Sequence, residues 1–175
     1  MNEKNLAKFR QKYLGFVFQS YNLMNSMTAI ENVEFPLIFK RVKVKKRKAL
    51  AKDMLLKVGL ESRLNHKPSE MSGGQQQRVG IARAFVSKPE IVFADEPTGN
   101  LDTKTAMEVM KLIKTISKEN HQTIVMVTHD RRLADFADKI IHILDGEIQS
   151  VEVTGDITKT EQQEGNQEIA IAEEV

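Results

Sequence analysis

The sequence predicts an α/β fold built on a parallel sheet, and three observations carry that prediction. Residues 91–94 (IVFA) and 123–127 (TIVMV) are short, almost continuous apolar runs, as expected of strands buried on both faces. Between them Ala106, Val109, Met110, Ile113 and Ile116 recur at helical spacing over residues 103–118, which gives one apolar helix face. Each strand run also ends abruptly in polar residues, Asp95-Glu96 and Thr128-His129-Asp130. Strand, helix and strand with continuous apolar strands make a parallel sheet covered on both faces.

The remaining elements follow in chain order. Residues 12–19 (KYLGFVFQ) read as a short strand closed by the amide of Gln19. Thr28 and Glu31 have capping-box spacing for a helix that Pro36 distorts. The basic stretch 40–48 leads into a second helix through Ala49, Met54, Leu55 and Val58, closed near Gly59. A third helix spans 75–87 and stops before Pro89. After the strand 123–127, residues 132–137 read as a short helix. Residues 139–144 and 147–151 then pair as a hairpin across Asp145-Gly146. From Val151 onward the chain holds seven acidic residues against one Lys, a net charge of −6 that leaves +8 on residues 1–150. This polar stretch, without aromatic residues, reads as a loose, disordered tail over 152–175 with no catalytic role.

Bulk composition narrows the function. A 175-residue chain with 41% hydrophobic residues suits one domain with a real core. Without cysteine it has no disulfide or thiolate metal site, which fits a reducing compartment. Apolar runs of about five residues are far short of a membrane span, and the N-terminus shows no secretory pattern, so any membrane role is expected to come through a partner.

The chemistry concentrates at the strand ends. In parallel sheets ligands bind beyond the carboxyl ends of the strands, and Gln19, Asp95, Glu96 and His129 all fall there. Asp95 suits a magnesium ion held through its water shell, and Glu96 suits polarising an attacking water. A neutral His129 could hydrogen-bond a terminal phosphate oxygen, and the Gln19 amide could ligate magnesium or its water. Alone, either would more often be structural. Ser72-Gly73-Gly74-Gln75 opens a helix with two unhindered amides, suited to an anion. An ordinary cap, with Ser72 at the N-cap and Gln75 three residues on, is the plainer explanation. Yet each glycine costs a helix roughly 1 kcal/mol, which favours close approach of a ligand. Asp102 could simply cap the next helix. The basic run 40–48 is read as a solvated helix face, with nucleic-acid contact a minor alternative because no aromatic residue interleaves its charges.

Taken together, FVFQ (16–19), MSGGQ (71–75), IVFADE (91–96), GNLD (99–102) and the histidine of VTHD (127–130) resemble the ATP-binding cassette (ABC) ATPases. They match the Q-loop, signature, Walker B, D-loop and H-loop in order, over about residues 6–151. FADEPTGNLD and NLMNSMTAIENVEFPL are similar to the subgroup serving lipoprotein release, macrolide export and antimicrobial-peptide resistance. The resemblance implies a P-loop NTPase sheet of the ABC type with an inserted helical subdomain over about 20–70. It implies a cytoplasmic ATPase that binds ATP and Mg2+, peripheral on the inner face of the membrane through a membrane-spanning permease. A second ABC subunit would close with it on two ATP molecules. Asp95 and Gln19 would serve the metal, Glu96 would be the general base, and His129 and Gln19 would contact the γ-phosphate or attacking water. Ser72, Gly73, Gly74, Gln75 and Asp102 would serve nucleotide binding, the signature on the opposite subunit's ATP.

One departure counts against activity. G-x-x-x-x-G-K-[ST] is absent from the 175 residues: no glycine precedes lysine and no two glycines lie five apart. The sheet is thus expected to lack its N-terminal strands, the first of them from inside the sheet, and the chain alone to be inactive as an N-terminally incomplete copy. Two other classes compete: a non-catalytic remnant that supplies only its signature in trans, and a soluble ABC protein acting on nucleic acid. The last is not expected, because it would need linked cassettes or dedicated insertions, and neither is here.

Overall fold

The computed structural model describes residues 2–154 and the backbone of 168–173. Its first element is a helix, α1 (Glu3–Tyr13), capped by Asn2, whose side chain accepts from the Asn5 amide. Glu3 in its first turn and Arg10 and Lys12 in its last complement the helix dipole. The strand expected over 12–19 is shorter, β1 (Leu14–Phe18), because α1 consumes its start.

Residues 29–70 contain helices and no strand: α2 (Ala29–Phe39), α3 (Val44–Lys57) and two 3-10 turns, Glu61–Arg63 and Pro68–Glu70. The Thr28–Glu31 capping box forms, and Pro36 lies inside α2. The buried Asn32 fastens the preceding loop to this helix. Its Nδ2 donates to the carbonyls of Met24, Met27 and Thr28, and its Oδ1 accepts from the Met24 amide. Gly59, with φ +74°, follows α3 where the helix was expected to close. Next come α4 (Gly73–Phe85), β2 (Ile91–Asp95), α5 (Thr103–Asn120), β3 (Thr123–Val127), α6 (Arg131–Ala134) and the hairpin β4 (Lys139–Leu144) with β5 (Glu147–Val153).

β1, β2 and β3 run parallel, with Phe18, Asp95 and Val127 level across the three strands. Their carboxyl ends therefore open on one rim. Burial along them alternates: Val17, Val92, Ala94, Ile124 and Met126 are buried and join one core with Val79, Phe85, Val109 and Ile113 of α4 and α5. The opposite face is more open. Phe16 is 39% and Phe93 36% exposed, their rings stacked 5.7 Å apart. The expectation of a sheet covered on both faces thus holds for one face among the described residues. The strands are apolar on both sides, but a helical layer covers only one.

The expected loose tail is also corrected in part. Residues 168–173 form β6 (Glu168–Glu173), inserted between β3 and β4 and parallel to both, so the sheet order is β1-β2-β3-β6-β4-β5. The physical reason is the ladder: without β6, β3 and β4 would face each other with unpaired backbone groups inside the sheet. The rest of the tail, residues 155–167 and 174–175, lies outside the described residues.

Candidate functional site

Glu96 and His129 meet at the rim. The main chain leaves β2 at Glu96 with φ +42°, a left-handed conformation that is uncommon outside glycine and concentrates at functional sites. Two backbone bonds hold it there: the Glu96 amide donates to the Val127 carbonyl at 3.0 Å, and its carbonyl accepts from the Gly99 amide at 3.1 Å. Pro97 follows and ends the strand. The turn aims the carboxylate at β3. Glu96 Oε1 lies 2.5 Å from His129 Nδ1 and accepts from the His129 amide at 3.1 Å. Among the described residues no partner takes Oε2. His129 is 68% exposed in its side chain and Glu96 20%, so the carboxylate is sheltered while the imidazole faces outward.

Gln19 and Asp95 share that rim without hydrogen-bonding to the pair. Asp95 ends β2, level with Phe18 and Val127, and is exposed. The Gln19 side chain lies over Gly99, where a Cβ would come within 2.7 Å of Nε2, so a larger residue there would displace the amide. The Asn100 side chain donates to the Gln19 carbonyl at 3.0 Å.

The signature residues gather in a second place. Ser72 caps α4, accepting from the Gln75 amide at 3.3 Å while Gln75 Oε1 accepts from the Ser72 amide at 3.0 Å. The plain capping box is therefore real. The glycines are explained by crowding: a Cβ at Gly73 would lie 2.8 Å from the Tyr21 hydroxyl, and one at Gly74 2.8 Å from Thr105 Cγ2. Ser72, Gly73, Gly74 and Gln75 line a cavity of about 360 Å³ together with Asn100, Asp102 and Thr105. Asp102 caps α5 through the Thr105 amide at 3.0 Å and accepts the Thr105 hydroxyl at 2.6 Å. That hydroxyl, then the backbone amide, holds its carboxyl below the usual range. The loop 97–101 joins the two clusters.

Several residues that set this geometry have no sequence signal. Arg83 donates to the carbonyls of Tyr21, at 2.9 Å, and Asn22, at 2.5 Å. It thereby fixes the loop after Gln19, where both residues have positive φ. Gln77, fully buried, donates to the Pro97 carbonyl and steadies the turn behind Glu96. No spacing rule marks an inward Arg or Gln on α4. Only the folded loop reveals them.

The donor set can be tested against magnesium. Among the described residues no three His, Cys, Asp or Glu side chains stand together as a metal site. Magnesium ordinarily binds through one or two carboxylates plus waters and substrate phosphates, so Asp95 with the Gln19 amide fits such an ion.

A parallel sheet whose strand ends present Asp-Glu, His and Gln beside a capped Ser-Gly-Gly helix is an α/β arrangement of the P-loop NTPase class. The family model "ABC transporter" matches residues 1–99. Over 143 residues the chain is 49% identical to the lipoprotein-releasing system ATP-binding protein LolD of Syntrophotalea carbinolica, covering 82% of this chain and 63% of LolD. It is 45% identical over 162 residues to the macrolide export ATP-binding/permease protein MacB of Vibrio parahaemolyticus, covering 93% of this chain and 25% of MacB. An ATP-binding cassette of Methanocaldococcus jannaschii, solved as a dimer in a post-hydrolysis state bound to ADP and Pi, superposes with TM-score 0.80 at 43% identity, covering 90% of this chain and 69% of that one. The chain belongs to the ABC transporter ATP-binding family. It spans less than two thirds of either curated relative's own length.

Proposed function

We propose that this chain is the ATP-binding, ATP-hydrolysing subunit of an ABC transporter of the export or lipoprotein-release type, energising a membrane-spanning permease. The Glu96–His129 pair, 2.5 Å apart at the rim of the parallel strands, carries the reading. A general base needs a carboxylate oriented by one oxygen and open at the other. Oε1 is held by the His129 ring and amide, and Oε2 is left for the attacking water. His129 Nε2, the ring nitrogen that Glu96 does not engage, would donate to a terminal phosphate oxygen when the ring carries both protons. Asp95 and Gln19 would hold magnesium through water, an ion that neutralises phosphate charge when bound. Ser72, Gly73, Gly74, Gln75 and Asp102 would meet the nucleotide of a second ABC subunit. The helical region over about 20–70 would meet the permease.

The test is a chain extended at its N-terminus with an apolar strand, a G-x-x-x-x-G-K-[ST] loop and a helix. Turnover is expected in the extended chain and negligible turnover in the 175 residues alone, where no lysine-bearing phosphate loop occurs. Glu96→Gln in the extended chain is expected to abolish hydrolysis and preserve ATP binding, since the amide keeps size but accepts no proton. Unchanged turnover would remove Glu96 from the role of base. A second reading, a non-catalytic chain that serves only the partner's nucleotide, rests on the cavity lined by Ser72, Gly73, Gly74 and Asp102. Hydrolysis by a complete ABC subunit that rises when the short chain is added, and does so equally with Glu96→Gln, favours it.

A further inference from the structure

The corner between α2 and α3 is strongly basic, and none of the candidate nucleotide-site residues lies on it. Between Glu34 and Asp53 the sequence holds eight Lys and Arg and no acid. Two of the eight have structural work. Arg47 Nε donates to Glu34 Oε2 at 2.8 Å. Lys40 Nζ donates to the carbonyls of Ser87 at 2.9 Å and Lys12 at 3.3 Å, and burial lowers its pKa. Arg41, Lys43, Lys45, Lys46 and Lys48 are exposed, and among the described residues none of them forms an ion pair.

Apolar side chains stand out among these cations: Ile38 is 44%, Phe39 58% and Val44 53% exposed. The corner that displays them is well held. The Arg41 amide donates to the Ile38 carbonyl at 2.9 Å, and the Val42 amide to the Leu37 carbonyl at 3.0 Å. A firm turn that shows cations and apolar tips together has the chemistry of a membrane-surface contact.

We propose that the α2–α3 corner binds an anionic phospholipid surface, with the cations over the headgroups and Ile38, Phe39 and Val44 at the acyl boundary. A sugar–phosphate backbone would use the charges, but Ile38 and Val44 have nothing to do against it. A bilayer uses both. The contact needs no nucleotide, so its test stands apart from the ATPase reading.

Flotation of the 175-residue chain with vesicles tests it. Phosphatidylcholine vesicles are compared with phosphatidylcholine–phosphatidylglycerol vesicles at rising salt, and circular dichroism checks each variant's fold. Binding is expected only to the anionic vesicles, weakening with salt as headgroup attraction is screened. Each cation near such a surface is worth about a fivefold gain, so Lys43→Gln/Lys45→Gln/Lys46→Gln is expected to weaken partitioning on the order of 100-fold. Lys104→Gln/Lys111→Gln/Lys118→Gln, an equal charge change on α5, is expected to leave it nearly intact. Phe39→Ser is expected to weaken it several-fold without altering its salt dependence. The proposal is overturned by no binding, by equal binding to neutral vesicles, by equal effects of the two triple variants, or by a DNA or RNA duplex that outcompetes anionic vesicles for the corner.

Discussion

At Glu96 the backbone and the side chain are fixed by different neighbours. The left-handed φ of +42° is secured by the Val127 carbonyl and the Gly99 amide, whereas the carboxylate is set by His129. Arg83 plays the corresponding part for the loop after Gln19. Arg83→Met keeps the apolar stem but strips the donors from the Tyr21 and Asn22 carbonyls. Charge-assisted hydrogen bonds are worth about 1.5–3 kcal/mol, so a loss of about 2–3 kcal/mol is expected in urea denaturation. Stability equal to that of the parent would show that the loop does not depend on Arg83. Glu31 adds a pH dependence. The Thr28 backbone amide, then its hydroxyl, holds the Glu31 carboxyl below its ordinary 4.5. A carboxyl whose folded-state pKa is depressed stabilises fully above its unfolded value and loses that contribution as pH falls through the folded one. Glu31→Gln is therefore expected to flatten the fall in urea midpoint below about pH 4.5, with little change near neutrality. An identical acid profile in both proteins would remove the Thr28–Glu31 box as a source of acid sensitivity.

At the scale of elements, β6 is the least local piece of the fold. Ala170 is level with Met126 on β3 and Ile140 on β4, so β6 is paired on both sides. Ala170→Pro removes a ladder donor in mid-sheet, where proline is not tolerated. A lost bond and an orphaned carbonyl together cost about 2–4 kcal/mol. Faster amide exchange along β3 and β4 is expected with that loss, and unchanged exchange would mean that β6 is not part of the cooperative sheet. This strand was illegible because IAIA is only four residues long, flanked by acids, and its reason for ordering lies in strands far back in the chain. β3, in contrast, was read to the residue from TIVMV and its polar stop, and α5 from its apolar face. α1 buries no residue, and although Asn2, Leu6, Phe9 and Tyr13 have the cap and the spacing of a helix, the four Lys and Arg between them masked the pattern. The rim was legible wherever an apolar strand stopped at a polar side chain. Arg83 and Gln77 were not, because their partners are carbonyls of loops that exist only once the chain has folded.

Across the whole molecule, the strand-end cluster and the signature cavity lie at either end of the loop 97–101. The signature cavity is crowded from within by Tyr21 and Thr105 but exposes Ser72, so an anion would approach from outside the subunit. That arrangement suits a nucleotide carried by another chain. In the extended chain with Glu96→Gln, Ser72→Arg is therefore expected to prevent ATP-dependent dimerisation in sedimentation while leaving monomer nucleotide affinity intact. The substitution also removes a helix cap, worth about 1 kcal/mol, so Ser72→Ala is the needed control: it loses the same cap without filling the cavity mouth and is expected still to dimerise. If both variants fail to dimerise, α4 needs its cap for assembly. If Ser72→Arg lowers monomer affinity as strongly as it blocks dimers, the signature acts on its own subunit's nucleotide, and the two-chain site is lost.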